Sequence, residues 1–348
     1  MKALLMKEYK TVTYTDVPDP DITGAQDVLV KVKAAAICGS DIHGFDGSTG
    51  RRKPPIIMGH EAAGEVAALG AGVKGFKLRD RITFDSTIYC GSCGYCRNGQ
   101  VNLCDNRMVL GVSCDEYRRD GAFAEYAAVP AHICYPLPPD LPYEEAAMTE
   151  PVGVAAHALS ITPVGLNETV AVVGAGLIGL LLIQILRVSV SGRIIALDPD
   201  PLRRETALSF GADRCFDPAD EDLLSKIQEL THGRGVDRVF EAVGAAASIQ
   251  TAIALVRKGG SVTLIGNVSP AIELPLQSVV SRQISLLGSC AISGEYPVAL
   301  DLMARKKIDV RSLISMKAPL KEGQIWFDKL YNREDALLKV ILIPGEHT

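Results

Sequence analysis

The sequence predicts an α/β protein in which a doubly wound parallel sheet is inserted into a β-rich domain. Three observations carry that expectation. Strand-like and helix-like apolar runs alternate from Thr169 to Gly288. Before residue 150 the apolar runs are short, lack helical periodicity and are broken by Gly and Pro. After Gly288 the alternation stops, so the tail is assigned back to the first domain. The boundaries read this way are 1–152 with 289–348 for the β-rich domain and 153–288 for the inserted one.

In the first part, Ala3–Met6, Thr11–Tyr14, Val28–Ala36 and Ala62–Leu69 read as strands, punctuated by Pro18, Pro20, Gly24, Gly70 and Gly72. Pro54-Pro55 marks a turn before Ile56–Gly59, and Tyr89 to Asn106 reads as a loop lobe with no periodicity of its own. In the inserted part the strands are Thr169–Val173, Arg193–Leu197, Asp213–Phe216, Val236–Phe240, Ser261–Ile265 and Ile284–Leu287. Between them helices begin at Leu177 and span Leu202–Phe210, Leu223–Leu230 and Ala246–Val256. The tail reads as helices Val298–Ala304 and Glu322–Leu330 and a strand Leu337–Ile343.

A chain of 348 residues is long enough for two cores. Its 47% hydrophobic and 22% charged residues are ordinary for a globular protein, and a net charge of −5 offers nothing to nucleic acid. The longest apolar stretch, Leu177 to Val190, is interrupted by Gly179, Gln184 and Arg187 and is too short for a bilayer. The chain opens Met1-Lys2-Ala3 with no secretory pattern, so a cytoplasmic protein without membrane or nucleic-acid partners is expected.

Cys90, Cys93, Cys96 and Cys104 are spaced C-x2-C-x2-C-x7-C, with Gly91, Gly94 and Gly99 between them. Four thiolates at this spacing can enclose one zinc tetrahedrally, a closed structural site. Cysteines three apart in a non-secreted chain point to metal before disulfide. Cys114, Cys134, Cys215 and Cys290 are scattered and read as small apolar groups.

Gly174-Ala175-Gly176-Leu177-Ile178-Gly179 follows a strand and opens a helix, the context a dinucleotide fingerprint requires. Gly174 allows the tight turn, Gly176 the approach of a pyrophosphate, and Gly179 the packing of helix on strand. Leu177 and Ile178 open the helix whose free N–H groups face the phosphates. Asp198, 24 positions after Gly174, is placed to accept the ribose hydroxyls of NAD and to repel the 2′-phosphate of NADP. Arg203 and Arg204 follow; one of them can lie over the adenine, and an arginine here can hold a 2′-phosphate. NAD is the expected cofactor.

A second, open constellation comprises Cys38 in Ile37-Cys38-Gly39-Ser40-Asp41-Ile42-His43, the pair His60-Glu61 in Gly59-His60-Glu61-Ala62-Ala63-Gly64, and Glu150 in Thr149-Glu150-Pro151-Val152-Gly153. Singly these residues read as core or surface groups. In this order, with the four-cysteine run and the Gly-rich turn, the chain resembles the zinc-containing medium-chain alcohol dehydrogenases over essentially its whole length. Within them it is most similar to the polyol (sorbitol or L-iditol) and threonine dehydrogenase branch. The resemblance implies a Rossmann-type domain inserted in a GroES-like catalytic domain, two zinc ions per chain, and a homo-oligomer, dimer or tetramer. It implies that Cys38 and His60 ligate a catalytic zinc, with Glu61 and Glu150 each able to coordinate directly or through water. It further implies a proton relay from Ser40, by way of the cofactor ribose, toward His43. The activity implied is reversible NAD-linked oxidation of a secondary hydroxyl of a polyol to a ketose.

One departure bears on substrate. Many polyol dehydrogenases carry an Arg-Tyr pair just beyond the last sheet strand. Here the stretch is Ser289-Cys290-Ala291-Ile292-Ser293-Gly294-Glu295-Tyr296, without that arginine. A sugar-alcohol phosphate or L-threonine therefore stays open as substrate. Threonine needs a carboxylate anchor, for which Arg51 or Arg282 is the candidate. From other classes, a zinc-stabilised NAD sensor without turnover has no need of the open site, and the acidic balance argues against the cysteine lobe as a nucleic-acid module.

Overall fold

In a computed structural model that describes residues 1–189, 192–334 and 336–345, the chain divides into two compact units, Met1–Glu150 with Ile292–Thr348, and Pro151–Ala291. The last residue of the apolar stretch read in the sequence, Val190, lies outside the described residues.

The first unit is built on a seven-stranded sheet. Its order is Cys134–Pro136, Arg81–Phe84, Glu61–Leu69, Asp27–Ala36, Lys339–Ile343 and Ile314–Pro319, with Tyr126–Pro130 also paired to Asp27–Ala36. Asp27–Ala36 buries Val28, Val30 and Val32 on one face, the alternation of a half-covered strand, and then runs fully buried through Ala34, Ala35 and Ala36. Small side chains there suit a strand flanked on both sides. Phe45, Phe84, Phe123 and Phe327 fill the core around it. The strand Ile314–Pro319 was not read in the sequence. It lies at the sheet edge, and its residues Ser315, Met316 and Lys317 are exposed, so little apolar alternation marks it. The cysteine lobe is more ordered than a plain loop, with a short helix Gly94–Arg97 and a 3-10 turn Val101–Leu103.

The second unit holds a six-stranded parallel sheet in the order Arg214–Phe216, Ile194–Leu197, Val170–Val173, Val236–Glu241, Val256–Leu264 and Ser285–Gly288. Val170–Val173 and Ile194–Leu197 are buried at every residue, as expected for strands covered by helices on both faces. Chain order reverses at Val170–Val173, and the Gly174 turn stands at the carboxyl end of this strand, the switch point of the sheet. Asp200 accepts from Leu202 N at 2.9 Å and Pro201 occupies the first turn, which fixes the start of the helix Pro201–Ser209. The strand read as Ser261–Ile265 begins earlier, at Val256, directly after the helix Ala246–Leu255. Among the described residues no helix is long and apolar enough to cross a membrane.

Candidate active site

Strand register brings the metal-type residues together. Ala36 stands opposite Glu61 on one side and Ile341 on the other, and Ile37 N donates to Val340 O at 3.0 Å. Two residues past Ala36, Cys38 therefore meets the chain entering Glu61–Leu69. The turn before His60 depends on Gly59, whose φ is +95° and where a Cβ would sit 2.9 Å from Phe123 N. The outcome is that ligand atoms of Cys38, His60 and Glu61 all lie within 4.8 Å of one another.

Buried charged groups stand behind the Cys38 backbone and the His60 and Glu61 side chains. Asp41, fully buried, accepts from Cys38 N at 3.2 Å and from Arg52 at 3.3 Å, and its Oδ1 lies 3.2 Å from His60 Nδ1 without the alignment of a hydrogen bond. Burial raises the Asp41 carboxyl, but His60 and Arg52 outweigh it and bring it down to about 2. Burial disfavours charge on His60, yet its neighbours Asp41 and Cys38 outweigh that and raise its pKa well above the ordinary value. Glu61 Oε2 is fixed by Lys339 Nζ at 2.6 Å, and Lys339 also donates to Ile37 O at 3.1 Å. Glu61 Oε1 is buried with no hydrogen-bond partner.

Glu150 is not among the converging atoms. It sits in the first turn of the helix Thr149–Ile161, partly exposed as a residue but enclosed at its carboxyl, which burial and then the Glu61 charge push up to about 8. Ser40 and His43 share the short helix Gly39–Phe45. Ser40 Oγ lies 3.3 Å from His60 Nε2, and no direct hydrogen bond joins Ser40 to His43 among the described residues. In the stretch after the last sheet strand, Glu295 accepts from Ser293 N at 2.6 Å, and the buried Tyr296 donates to Phe84 O at 2.7 Å. Neither proposed carboxylate anchor is an obvious one. Arg51 is exposed, and Arg282 belongs to the second unit, where it donates to Ile253 O and Val256 O.

Cys90, Cys93, Cys96 and Cys104 form a second converging group. Backbone and side-chain donors of Ser92 and the Cys93 N–H lower the Cys90 thiol to about 5, whereas burial and then its Cys93 and Cys104 neighbours push Cys96 up to about 12. A cation bound among them would offset the repulsion between thiolates gathered this closely.

In the second unit, Gly174 has φ +93°, and a Cβ on Gly179 would lie 1.8 Å from Gly174 O, so turn and helix can approach this closely only without side chains. Leu177 and Ile178 begin the helix Leu177–Ser189. Asp198 is 4% exposed and accepts from Ala175 N and Asp200 N at 2.8 and 2.9 Å, which pins its carboxylate beside the turn. Gly176 and Arg203 face each other: the nearest atom to a Cβ on Gly176 is Arg203 Nη1, 4.0 Å away. Arg204 turns elsewhere, donating to Asp198 O, Pro199 O and Asp217.

Residues 24–139 match the profile of the alcohol dehydrogenase GroES-like domain and residues 178–305 that of the zinc-binding dehydrogenases. Sorbitol dehydrogenase of Bacillus subtilis (strain 168) is 33% identical over 350 residues, covering 99% of this chain and 98% of the relative. The chain belongs to the zinc-containing medium-chain alcohol dehydrogenase family, in its polyol dehydrogenase branch. D-arabitol-phosphate dehydrogenase of Enterococcus avium is 33% identical over 97% of this dehydrogenase and 96% of its own length. Among solved structures, the alcohol dehydrogenase TADH from Thermus sp. ATN1 superposes with a TM-score of 0.92 at 31% identity, covering 99% of this chain and all of its own. Zinc fits the residues this dehydrogenase presents. A thiol, an imidazole and a carboxylate converge, the mixed donor set zinc accepts, and Glu61 Oε1 is a buried acceptor that lacks a partner. Sequence reasoning missed three supporting residues, Asp41, Arg52 and Lys339. An acid three positions after Cys38 and a lone lysine opening an apolar strand were the signals available.

Proposed function

We propose that the chain catalyses the reversible oxidation of a secondary hydroxyl of a small polyol to a ketose, with zinc and NAD. The observation that carries this reading is the convergence of Cys38, His60 and Glu61, with Glu61 Oε1 buried and unpartnered. Cys38 and His60 would hold the catalytic zinc, with Glu61 or Glu150 as the carboxylate ligand, and Cys90, Cys93, Cys96 and Cys104 the structural one. When bound, the catalytic zinc supplies a Lewis acid that lowers the pKa of a substrate hydroxyl, and the nicotinamide supplies the hydride acceptor.

The chain's own residues do the rest. Asp41 and Arg52 keep the imidazole of His60 oriented, and Lys339 keeps Glu61 in one rotamer. Ser40, 3.3 Å from His60 Nε2, would be the first acceptor of the substrate proton, and His43, on the same short helix, would pass it toward solvent. Gly174, Gly176 and Gly179 would admit the pyrophosphate at the start of the helix holding Leu177 and Ile178, Asp198 would accept the ribose hydroxyls, and Arg203 would serve the adenosine end. NAD is favoured over NADP because Asp198 is a buried carboxylate and Arg204 is committed to backbone carbonyls.

A polyol is favoured over threonine. Near the metal group the two buried cations, Arg52 and Lys339, are both paired with carboxylates, so neither is spare for a substrate carboxylate. Vicinal hydroxyls pair with polar groups that an alkyl alcohol leaves unsatisfied, a difference that discriminates strongly. The chain works as a cytoplasmic homo-oligomer on this reading. A panel of polyols, polyol phosphates, threonine and simple secondary alcohols, followed by absorbance of the reduced cofactor, tests it. The highest kcat/KM is expected for a polyol. A higher value for threonine or a plain secondary alcohol would leave the dehydrogenase and remove the polyol.

A further inference from the structure

A cleft of about 560 Å3 opens on the second unit, at the end of its sheet opposite the Gly174 turn. Its floor is made by residues that enter four neighbouring strands: Arg214 with Asp213, Arg193, Thr169 and Gly235. Arg187 and Arg234 complete a set of four lining arginines.

The two carboxylates of the cleft are already engaged. Asp213 accepts from Arg187 at 2.6 Å and from Ile194 N at 2.7 Å. Asp237 accepts from Arg257 at 2.6 Å and from Thr169 N at 2.8 Å. Arg187 is thereby neutralised. Arg193 and Arg214 donate only to carbonyls, of Leu230 and Asp213, and together with Arg234 they have no carboxylate partner among the described residues. Three uncompensated positive charges thus border one cleft in a chain whose net charge is −5. Composition does not produce that. Like charges gathered on a rim repel, and the cleft focuses their field toward an anion.

We propose that this cleft binds a small polyanion bearing two phosphate groups, at a site separate from the dinucleotide turn. Guanidinium forks match phosphate oxygens in pairs, and a cleft of this volume lies within the range of small-ligand sites, roughly 300–1,000 Å3. One phosphate carries at most about two negative charges, fewer than the three arginines, whereas two phosphates match them and a neutral polyol offers none.

Calorimetric titration of the zinc-loaded, NAD-saturated enzyme with fructose 1,6-bisphosphate tests this, with fructose and inorganic phosphate as comparators. Saturation with NAD closes the dinucleotide site to the probe. The bisphosphate is expected to bind one per chain, more tightly than either comparator, and more weakly as salt is raised. The triple variant Arg193→Gln/Arg214→Gln/Arg234→Gln should lose about tenfold or more in affinity, while its dehydrogenase rate without bisphosphate stays at the wild-type value and reports an intact fold. No binding heat, equal binding of fructose, or unchanged affinity in the triple variant would each overturn the proposal and leave the dehydrogenase reading untouched.

Discussion

Lys339 holds its ammonium 2.6 Å from Glu61 Oε2, and both side chains are only 1% exposed. They are 278 residues apart in sequence. The final strand of the chain, Lys339–Ile343, thereby delivers the cation that fixes a carboxylate of the candidate metal site.

Replacing Lys339 with methionine leaves the Glu61 charge buried and unpaired. Breaking such a pair from one side costs about 3–5 kcal/mol. Lys339→Met should lower the urea midpoint accordingly, and Lys339→Met/Glu61→Gln should recover most of the loss. A single variant with the wild-type midpoint contradicts the assignment of Lys339 as the partner of Glu61.

Asp41 acts through His60 and not on substrate. It borders the imidazole at 3.2 Å and is itself held by Arg52. Groups that orient a metal-ligating histidine are worth about 10–100-fold in metal affinity or activity. Asp41→Asn should therefore lose the catalytic zinc more readily to a weak chelator and lower kcat/KM by that factor, while zinc in the four-cysteine lobe stays. Equal zinc retention and activity in wild type and variant would make Asp41 a purely structural acid.

How much of this was legible in the sequence depends on range. The Gly174 turn, Asp198 and the four-cysteine lobe are local patterns, and a spacing of a few residues carries their chemistry. Cys38 and His60-Glu61 were found as motifs, but their meeting is a matter of register, Ala36 opposite Glu61, which the sequence does not print. Lys339 and Arg52 reach their partners only through the sheet and the core, which no local sequence pattern shows. Arg203 and Arg204 adjoin in sequence, and it is the fold that commits Arg204 to the carbonyls of Asp198 and Pro199.

That distinction predicts cofactor choice. On the proposed reading, Asp198→Ala removes the ribose acceptor and the repulsion of a 2′-phosphate together, so kcat/KM for NAD should fall and its advantage over NADP narrow. Adding Arg203→Ala should then weaken NADP, whereas Arg204→Ala should not act through phosphate. Wild-type protein that prefers NADP would show that Arg203 outweighs Asp198.

Asp85 sets a pH dependence of stability. It is 3% exposed and accepts from Thr87 N at 2.8 Å, and burial raises its pKa to about 7. Below about pH 4 the carboxyl is protonated in both folded and unfolded chains. Between there and pH 7 the unfolded chain ionises first, so folding stability falls as pH rises, by an amount on the order of 4 kcal/mol. Asp85→Asn keeps the acceptor for Thr87 and has no such loss. The variant should gain on wild type steadily from pH 4 to 7 in urea denaturation, with the gap constant above that. A gap that does not change with pH would mean that Asp85 is ionised in the fold throughout.

The central claim is that Cys38 and His60, with Glu61 or Glu150, hold a zinc that the reaction requires, and His60→Ala tests it most directly. Metal analysis and NAD-linked polyol oxidation are measured on the same preparation. The expected result is a fall from two zinc ions per chain to one, retained NAD binding, and a loss of activity of about a thousandfold or more, several kcal/mol of stabilisation of developing charge. A variant that keeps two zinc ions, or turns over at the wild-type rate with one, would contradict the account.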